Sequence, residues 1–466
     1  MYSLKLTWDG EADWVLHGPG AAAGLEGAQL AGSRQAPRPD WVIETILLAL
    51  KGGGVADWIH GLERRLTQAR AGAGRVHLRL QIEQRDTPLN ALLLDGWLES
   101  LDARADERER GFAGLRLNLL REREWSAPAA ALPLTNANGT GVTGGLALFN
   151  HADSDSGHQN FADIHAAHLE GSQLAPLSLR LALGSTPNRV VTHVILAAGS
   201  DLWMEGASFA HALEGESGSP GAGCAASSLI ADSGASGGFY RRLEWSAAGE
   251  AALLRWTVTA LALSLARGRA FRPVLRLHNP PVAGIYLHWR MFNARGGLLD
   301  RGGEMRLVSS RWLQPTPSLC LPPLDLPGLD PAGLTLELWA VCDAPGSRVL
   351  DVDFVHLLPV EGWLELLPLG GTAQGSTLVV DGTRHLRRTA FDALRQGQGD
   401  AVQVGCTYSL DAGGVASASH ALSGGGLRLL PGRNQRLYLL FETDTGAPVN
   451  HSLQAQALYP PCWLTP

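Results

Sequence analysis

The sequence has few charged residues, whereas proteins that bind nucleic acids or membrane surfaces carry clusters of basic ones. Charged residues make up 18% of the 466 positions, and the formal net charge is -7. Binding to nucleic acid or to an anionic membrane needs clustered Lys and Arg, so we expect neither kind of partner. The densest charged run, Asp102 to Arg110, carries nearly balanced signs and is typical of a solvated loop.

Cysteine is also scarce. The chain has five cysteines, no two of which share a C-x-x-C spacing: Cys224, Cys320, Cys342, Cys406 and Cys462. An odd and widely scattered set argues against a disulfide framework and against a zinc site. We therefore expect no metal, and we expect the cysteines to act as small buried apolar side chains.

Long apolar runs and cofactor motifs are missing as well. No stretch of about 18 apolar residues occurs, so no membrane insertion is expected. Met1 to Trp8 alternates like a strand and lacks the apolar core of a signal peptide, so we expect synthesis in a cytoplasm without signal-directed export. No phosphate-binding glycine motif and no H-E-x-x-H occurs, so we expect no cofactor.

What the sequence does contain is an abundance of strand and turn signals. Hydrophobic residues account for 45%, and the 56 Gly and 26 Pro punctuate the chain. Leucines alternate with polar residues at Leu177, Leu179 and Leu181, and apolar residues alternate again from Leu334 to Leu338. This period of two, with frequent turns, predicts short antiparallel strands, and from residue 129 onward no helix is expected.

One helix is predicted near the N-terminus, over residues 55–70. Trp58, Leu62, Leu66 and Ala69 recur at helical spacing there. The predicted fold is mostly β: an N-terminal β-sandwich with one helix (1–128), a linker or strand segment (129–164), a jelly-roll sandwich (165–360) and a C-terminal sandwich (361–466). A chain of this length accommodates about three domains.

Three patterns are candidates for chemistry, and each has a plainer explanation. Gly234 to Gly238 matches G-x-S-x-G, but it lies in a Gly/Ser-rich segment, 215–238, that predicts a surface loop, and the catalytic motif needs a strand before Ser236 and a helix after it. Asp351 and Asp353 share a strand face and could be a glycosidase pair, yet we expect ordinary solvent-facing residues.

The third pattern, His151 to His158, holds Asp153 and Asp155. It lacks the twelfth-position acid of a calcium loop, so a polar loop is expected. With no active site recognised, we expect that the chain is not an enzyme.

Aromatic residues supply the remaining candidates for ligand binding. Among 14 tryptophans, five sit within predicted strands and are expected in the core: Trp97, Trp245, Trp256, Trp289 and Trp339. Trp203 and Trp312 lie near strand ends, where an exposed indole can stack on the face of a sugar. Partial burial of both under loops is the open alternative.

The first 128 residues resemble the tail-tube-type domain of long-tailed phages, in particular the N-terminal part of distal tail (baseplate hub) proteins. The resemblance lies in the strand Trp41 to Leu50, the helix Trp58 to Ala69, and the strands Val76 to Ile82 and Leu92 to Trp97. It implies a ring-shaped homo-oligomer that contacts other tail proteins, namely the tail tube and the tail hub.

Three later segments carry a further resemblance. His151 to Leu183 is similar to the entry of a phage-borne jelly roll, Leu334 to Pro359 to the last strands of carbohydrate-binding jelly rolls, and Leu430 to Tyr438 to the closing sandwich of phage structural proteins. The resemblance implies a structural virion protein of the tail, assembled in the host cytoplasm and able to contact host surface glycans. The alternative it leaves open is a stand-alone carbohydrate-binding or adhesion protein.

Overall fold

A computed structural model provides the structure of the chain. The structure describes residues 2–8, 13–18, 25–35, 41–52, 54–71, 76–83, 86–100, 112–152, 157–183, 189–200, 212–258, 270–320, 334–360, 362–368, 376–380, 382, 407–410, 416–424 and 426–463. These residues form two compact units. Unit 1 comprises residues 1–130, 170–175 and 460–466, and unit 2 comprises residues 131–169 and 176–459.

The described residues are mostly in β-strands, with a single α-helix, α1 (Val55–Ala71). The strands up to residue 200 are β1 (Tyr2–Trp8), β2 (Trp14–His17), β3 (Leu25–Gln35), β4 (Trp41–Lys51), β5 (Val76–Ile82), β6 (Leu89–Ser100), β7 (Phe112–Glu122), β8 (Trp125–Ser126), β9 (Ala130–Leu132), β10 (Leu134–Asn136), β11 (Gly139–Gly141), β12 (Leu146–Phe149), β13 (Phe161–Ile164), β14 (Ala175–Pro176), β15 (Ser178–Leu183) and β16 (Val191–Ser200).

The later strands complete the set. They are β17 (Leu213–Glu214), β18 (Ser219–Pro220), β19 (Ala226–Ala231), β20 (Phe239–Trp245), β21 (Gly249–Val258), β22 (Ala270–Leu277), β23 (Tyr286–Asn293), β24 (Leu298–Arg301), β25 (Met305–Arg306), β26 (Leu313–Pro315), β27 (Leu319–Cys320), β28 (Leu334–Cys342), β29 (Arg348–Pro359), β30 (Gly362–Pro368), β31 (Thr377–Val380), β32 (Thr407–Leu410), β33 (Ala416–Ser423), β34 (Arg428–Leu429), β35 (Gln435–Thr443), β36 (Ser452–Tyr459) and β37 (Cys462–Trp463).

Unit 1 is one antiparallel sheet with the helix packed on it. Its strands follow the order β2-β1-β5-β6-β7-β4-β3, and β8 and β37 attach beside β6. Every second side chain along β4 and β7 is buried, as expected for strands with one covered face. Glu44 and Arg121 also point inward, where the Arg121 Nε donates to Glu44 Oε2 at 2.9 Å and the guanidinium lies 4.4 Å from the Trp125 ring.

The helix packs closely because two glycines lie at its contacts. A Cβ at Gly61 of α1 would stand 2.6 Å from the Trp14 ring, and a Cβ at Gly96 of β6 would stand 2.6 Å from Leu66. The apolar stripe of α1, including Leu62 and Leu66, is buried in the same core as the sheet. The predicted helix over 55–70 is therefore confirmed, together with the fold class.

The described residues of unit 2 form three large sheets. The largest has 13 strands and includes β13, β35, β16 and β30 side by side at its centre. A seven-stranded sheet contains β19-β20-β29-β22-β26, with β17 and β27 attached, and a six-stranded sheet contains β18-β21-β28-β23-β24, with β25 attached. Buried residues of all three sheets form one hydrophobic cluster, and the His356 ring of β29 meets Tyr438 of β35 edge-on at 4.8 Å.

The described strands do not follow the predicted boundaries at residues 164/165 and 360/361. The 13-stranded sheet combines β13 from the predicted linker, β16 from the predicted jelly roll and β35 from the predicted C-terminal sandwich. The other two sheets are formed from residues 213–359, which are inserted between β16 and β30. Sheet membership depends on pairing between segments distant in sequence, which local patterning does not encode.

The predicted surface loop over 215–238 was wrong in part. Within it, β19 pairs along its full length with β20, from Ala226 opposite Glu244 to Ala231 opposite Phe239. The small residues of β19 tolerate an extended conformation, and long-range pairing decides the outcome over their weak intrinsic preference for strands. No helix in the described part of the chain is long and apolar enough to cross a membrane.

Candidate functional site

The outward face of the six-stranded sheet carries a distinctive arrangement of aromatic and charged side chains. Along β28, Leu336, Leu338 and Ala340 point into the core, while Thr335, Glu337, Trp339 and Val341 alternate with them. Along β23, Leu287, Trp289 and Met291 are buried, and Tyr286, His288, Arg290 and Phe292 alternate with them. The period of two in both strands therefore places aromatic and charged residues together on one face.

Trp339 is the aromatic centre of this face. It lies opposite His288 in the register between β28 and β23, and the two rings are stacked with centroids 6.1 Å apart. The Arg290 guanidinium lies over the indole, 3.8 Å from its centroid, and the Arg290 Nε donates to His288 Nε2 at 3.1 Å. Cation–π stacking on Trp of this kind holds the indole in a defined orientation.

A second group of contacts fixes Glu337 beside the indole. The Trp339 indole N–H donates to Glu337 Oε2 at 2.9 Å, and the Arg255 Nε donates to Glu337 Oε1 at 2.7 Å. Glu337 is buried beneath its neighbours, whereas 56% of the Arg255 side chain is exposed. Both oxygens of the carboxylate are thus occupied, and the exposed surface of this pair is the guanidinium.

Glu250 organises the charges at the other end of the face. It accepts from Arg290 and, through Oε1 at 2.8 Å, from the Nη2 of Arg301, which also donates to Glu304. The hydrogen bond from Arg290 lowers the pKa of Glu250, while burial lowers the pKa of His288. The carboxylate is therefore ionised and the imidazole neutral at physiological pH.

The same residues include a cluster with the ligand types of a metal site. One ligand atom each from Glu250, His288 and Glu304 lies within 4.8 Å of the others. Two guanidinium groups already bind the Glu250 carboxylate, and a cation placed there would be repelled by both. The donor set therefore fits an arginine network better than a metal ion.

The structure corrects the predicted burial of two tryptophans. Trp245, Trp256 and Trp289 are in the core as expected, but Trp97 and Trp339 are only half-buried. Both occupy outward positions of their strands, and each indole N–H donates to a glutamate two residues away, Glu99 or Glu337. Membership of a strand thus did not decide burial, because alternate residues of a strand face opposite sides.

Of the two predicted sugar-stacking tryptophans, the structure describes one. Trp312 is half-buried beside the core, its backbone N–H donates to Glu442 Oε1 at 2.8 Å, and a Cβ at Gly446 would lie 3.5 Å from its ring. Trp203 lies outside the described residues. Trp312 precedes β26 of the seven-stranded sheet, whereas Trp339 lies on β28 of the six-stranded sheet.

Ser236 of the G-x-S-x-G sequence is completely buried and engaged in structural contacts. Its Oγ accepts from the Ala152 N–H at 2.9 Å and donates to Glu214 Oε1 at 3.3 Å, while its own N–H donates to Asp353 at 3.0 Å. A nucleophilic serine needs a base at its Oγ and access to substrate. This serine instead ties β17 and β29 to the segment after β12.

Asp351 and Asp353 are not solvent-facing, contrary to the prediction. Asp353 is fully buried and ion-paired with Arg276, whose Nη2 also donates to the Ala447 carbonyl at 2.5 Å. Asp351 is bound by Arg242 at 2.8 and 2.9 Å and by Asn279 at 2.7 Å. Because β29 lies inside the layered core, both carboxylates need cationic partners, and neither faces the other across a cleft.

A separate buried network links three strands of the 13-stranded sheet. His193 Nε2 lies 2.9 Å from Glu365 Oε1, and its Nδ1 lies 3.5 Å from Glu442 Oε2. Glu442 also accepts from the Trp312 and Leu313 N–H groups, and Glu365 accepts from Ser423 Oγ at 2.9 Å.

Burial opposes the charge on His193, but the two glutamates outweigh it and raise its pKa. Burial likewise opposes the charge on Glu365, but the contact with His193 and other partners lowers its pKa overall. The strongest pairing in this network is therefore between an imidazolium and a carboxylate.

The remaining candidates differ in burial. In the His151–His158 segment the two imidazole rings stack with centroids 4.9 Å apart, while Asp153 and Asp155 lie outside the described residues. Of the cysteines, Cys342 and Cys462 are buried as predicted, Cys224 is half-buried and Cys320 is exposed, which corrects the expectation for Cys320. Cys406 lies outside the described residues.

Comparison with known proteins identifies no family for this chain. No family model matches the sequence, and no curated protein does either. Similar solved structures include carbohydrate-binding modules of the β-sandwich superfamily, at 10% identity over 60% of this chain and 91% of theirs, with a TM-score of 0.22. The Dit protein of phage SPP1, described as part of a hub adsorption apparatus, matches at 10% identity over 75% of this chain and 98% of its own, with a TM-score of 0.21.

A third similar structure is the tandem CBM22 domain of Xyn10C from Paenibacillus barcinonensis. It matches at 9% identity over 59% of this chain and 99% of its own, with a TM-score of 0.22. Phage baseplate proteins and carbohydrate-binding modules are thus both among the neighbours. At these scores, the likenesses carry no argument about what this chain binds or assembles with.

Proposed function

We propose that the chain is a non-enzymatic structural virion protein of a long-tailed phage or phage-like particle, forming a ring at the distal tail or baseplate. In this proposal unit 1 forms the ring and contacts the tail tube and the tail hub, and unit 2 is a recognition domain. The particle is assembled in the host cytoplasm, and the protein resides in the tail.

The observation that supports assembly is the edge of the unit 1 sheet. Strand β3 has 11 residues and is hydrogen-bonded to β4, and no other described strand is hydrogen-bonded to it, although the short strand β2 lies near it. A long strand with an unpaired edge is a template for pairing with another chain. In a ring, each subunit joins its neighbour through two different surfaces, so an edge of this kind can be satisfied by the next subunit.

Two observations favour a protein without catalysis. The carboxylates of Asp351 and Asp353 are held by arginines, and the buried Ser236 is hydrogen-bonded to Ala152, Glu214 and Asp353. Incubation of the full chain with a panel of polysaccharides should release no reducing ends above a buffer control. Sustained release that is abolished by Asp351→Asn would contradict a purely structural role.

Electron microscopy and light scattering of the purified full chain test the ring. We expect ring-shaped particles that gain mass in multiples of one subunit as concentration rises. A charged side chain on an edge strand opposes strand pairing, so Gln29→Lys on β3 should abolish the rings. The matched control, Ser228→Lys on the exposed edge strand β19 of unit 2, should retain them. A particle that stays monomeric at every concentration refutes the proposal.

The second candidate is a carbohydrate-binding or adhesion protein that acts without a tail. The half-buried Trp312 and the aromatic and charged outward face of the six-stranded sheet favour this candidate. Sugar recognition combines an aromatic surface with hydrogen-bonding groups around it. A glycan array distinguishes the candidates when combined with the microscopy, because binding without rings supports adhesion alone.

A further inference from the structure

We propose that the outward face of the six-stranded sheet, centred on Trp339 and flanked by Arg255, Arg290 and Glu337, binds a neutral oligosaccharide. This inference deepens the recognition role proposed for unit 2. It assigns that role to a different tryptophan from Trp312 and Trp203, and it names a class of ligand.

The outward side chains of β23 form a long strip. Tyr286, His288, Arg290 and Phe292 occupy alternate positions of β23 and span about 20 Å at the usual rise per residue. Tyr286, Phe292 and Trp339 are each half-buried, and the Arg290 guanidinium lies against the Trp339 indole. A strip of this length, with aromatic surface at both ends and in the middle, is longer than one sugar ring and suits a chain of several.

The ion pairs of this face balance positive and negative charge. Three arginines and three glutamates are joined in the contacts of this face: Arg255, Arg290, Arg301, Glu250, Glu304 and Glu337. The signs cancel within these contacts, and Arg306, directly opposite Tyr286, adds one positive charge to the face, so the net field that would draw in a charged ligand is small. A polymer with carboxylate or sulfate groups would bring its negative charges close to those of Glu250, Glu304 and Glu337.

The polar side chains of this face are held in place by contacts within the protein, before any ligand binds. Glu337 is fixed by the Trp339 indole N–H and by Arg255, and Arg290 is fixed by His288, Glu250 and the indole face. Side chains that are already ordered lose little conformational entropy on binding. The free N–H groups of Arg255, which is more than half exposed, are positioned to donate to sugar hydroxyls.

The opposite sheet of the same sandwich provides a contrast. Its exposed aromatic residue, Phe239 of β20, is 44% exposed and lies opposite Ala231 of the edge strand β19. Within the described part of the chain, Phe239 makes no aromatic ring contact and no cation–π contact. It therefore offers exposed aromatic surface on a different sheet without a stacked guanidinium, which makes it a control.

Affinity electrophoresis of the full chain tests the inference. Native gels would contain hydroxyethyl cellulose, arabinoxylan or galactomannan as neutral probes, and polygalacturonate or alginate as anionic probes. We expect retardation by at least one neutral polymer and by neither anionic polymer. Trp339→Ala should weaken the retardation at least tenfold, Glu337→Gln should weaken it severalfold, and Phe239→Ala should leave it unchanged.

Each other result has a defined meaning. Circular dichroism of each variant separates loss of binding from loss of folding, and Glu337→Gln preserves the side-chain shape if Trp339→Ala fails to fold. Retardation by anionic polymers alone refutes the ligand class. Retardation that survives both substitutions but is lost in Trp312→Ala refutes the site, while the recognition role of unit 2 stands. No retardation by any neutral polymer overturns the inference, and it leaves the ring test of unit 1 unaffected.

Discussion

Two polar arrangements in unit 2 use the same residue types in opposite environments. On the outward face of the six-stranded sheet, Glu250 and Arg301 form pairs that are about 40% exposed. In the 13-stranded sheet, His193, Glu365 and Glu442 are almost completely buried. Exposed ion pairs contribute little to stability, whereas a buried charge that loses its partner is costly. Exposed ion pairs are therefore available for recognition, while buried ion pairs hold strands in register.

The largest expected effect comes from breaking a buried pair on β29. Asp353→Ala removes the partner of Arg276, which is 4% exposed and cannot reach water. We expect the free energy of unfolding to fall by about 3–5 kcal/mol, the usual cost of an uncompensated buried charge. Chemical denaturation of unit 2 measures this loss.

A neighbouring pair supplies the control for that experiment. Asp351→Ala frees Arg242, whose side chain is 35% exposed and can be hydrated, so the loss should be clearly smaller. The double variant Arg276→Met with Asp353→Leu should recover much of the stability, because it buries no charge. An Asp353→Ala variant as stable as Asp351→Ala would contradict the assignment of Arg276 to the core.

The next effect contrasts two tryptophans on adjacent strands. Trp289 is completely buried and its indole N–H donates to Thr316 Oγ1 at 2.9 Å, so Trp289→Ala should cost about 3–5 kcal/mol. Trp339→Ala removes only a half-buried ring and should cost roughly 1 kcal/mol. Thermal unfolding followed by near-ultraviolet circular dichroism measures both, and equal losses would refute the inward and outward assignment.

A pH effect of intermediate size should separate the buried network from the exposed face. The raised pKa of His193 means that protonated His193 stabilises the fold. That contribution is complete below the unfolded value of about 6.5 and is lost as pH rises through the higher folded value. The lowered pKa of Glu365 adds stability above the unfolded value of about 4.3, which is lost as pH falls through the lower folded value.

The His193→Gln variant tests this pH dependence. The difference in stability between the natural protein and the variant should be about 1–3 kcal/mol between pH 5 and 6 and should shrink toward pH 8. His165→Gln, an exposed histidine at the end of β13, should show no such difference. A difference that grows toward alkaline pH would indicate that neutral His193 is the stabilising form.

The smallest expected effect concerns the exposed face itself. Glu250→Gln removes one carboxylate from a network with Arg290 and Arg301, and the free energy of unfolding should change by less than about 1 kcal/mol. Added salt should reduce even this difference, because it screens exposed charges. A loss above 2 kcal/mol would show that the network supports the fold rather than serving recognition.

Local patterns in the sequence were sufficient for individual elements. The spacing of Trp58, Leu62 and Leu66 predicted α1 within one residue at its C-terminal end, and the alternation from Leu334 to Leu338 predicted β28. Local patterns failed where contacts with residues distant in sequence decide strand pairing and burial. Nothing in the composition of β19 indicates its partner β20, and the burial of Asp353 depends on layers formed by distant segments.

The candidate face could be anticipated only in part. Alternation in β23 and β28 indicates that His288, Arg290, Glu337 and Trp339 lie on the outward side of their strands, so the prediction of a core position for Trp339 was wrong. That these strands are neighbours, with Arg290 opposite Glu337, is a matter of register between segments about 47 residues apart. The position of Arg255 on the third strand follows from the same kind of long-range pairing.

By itself the sequence determined that this protein is built from antiparallel strands with one early helix, because the hydrophobic period is a local property of the chain. Only the tertiary structure decided which strands share a sheet, which carboxylates are enclosed and which residues become neighbours on the outward face. Those outcomes depend on contacts between residues far apart in sequence, and such contacts exist only once the sheets have been stacked.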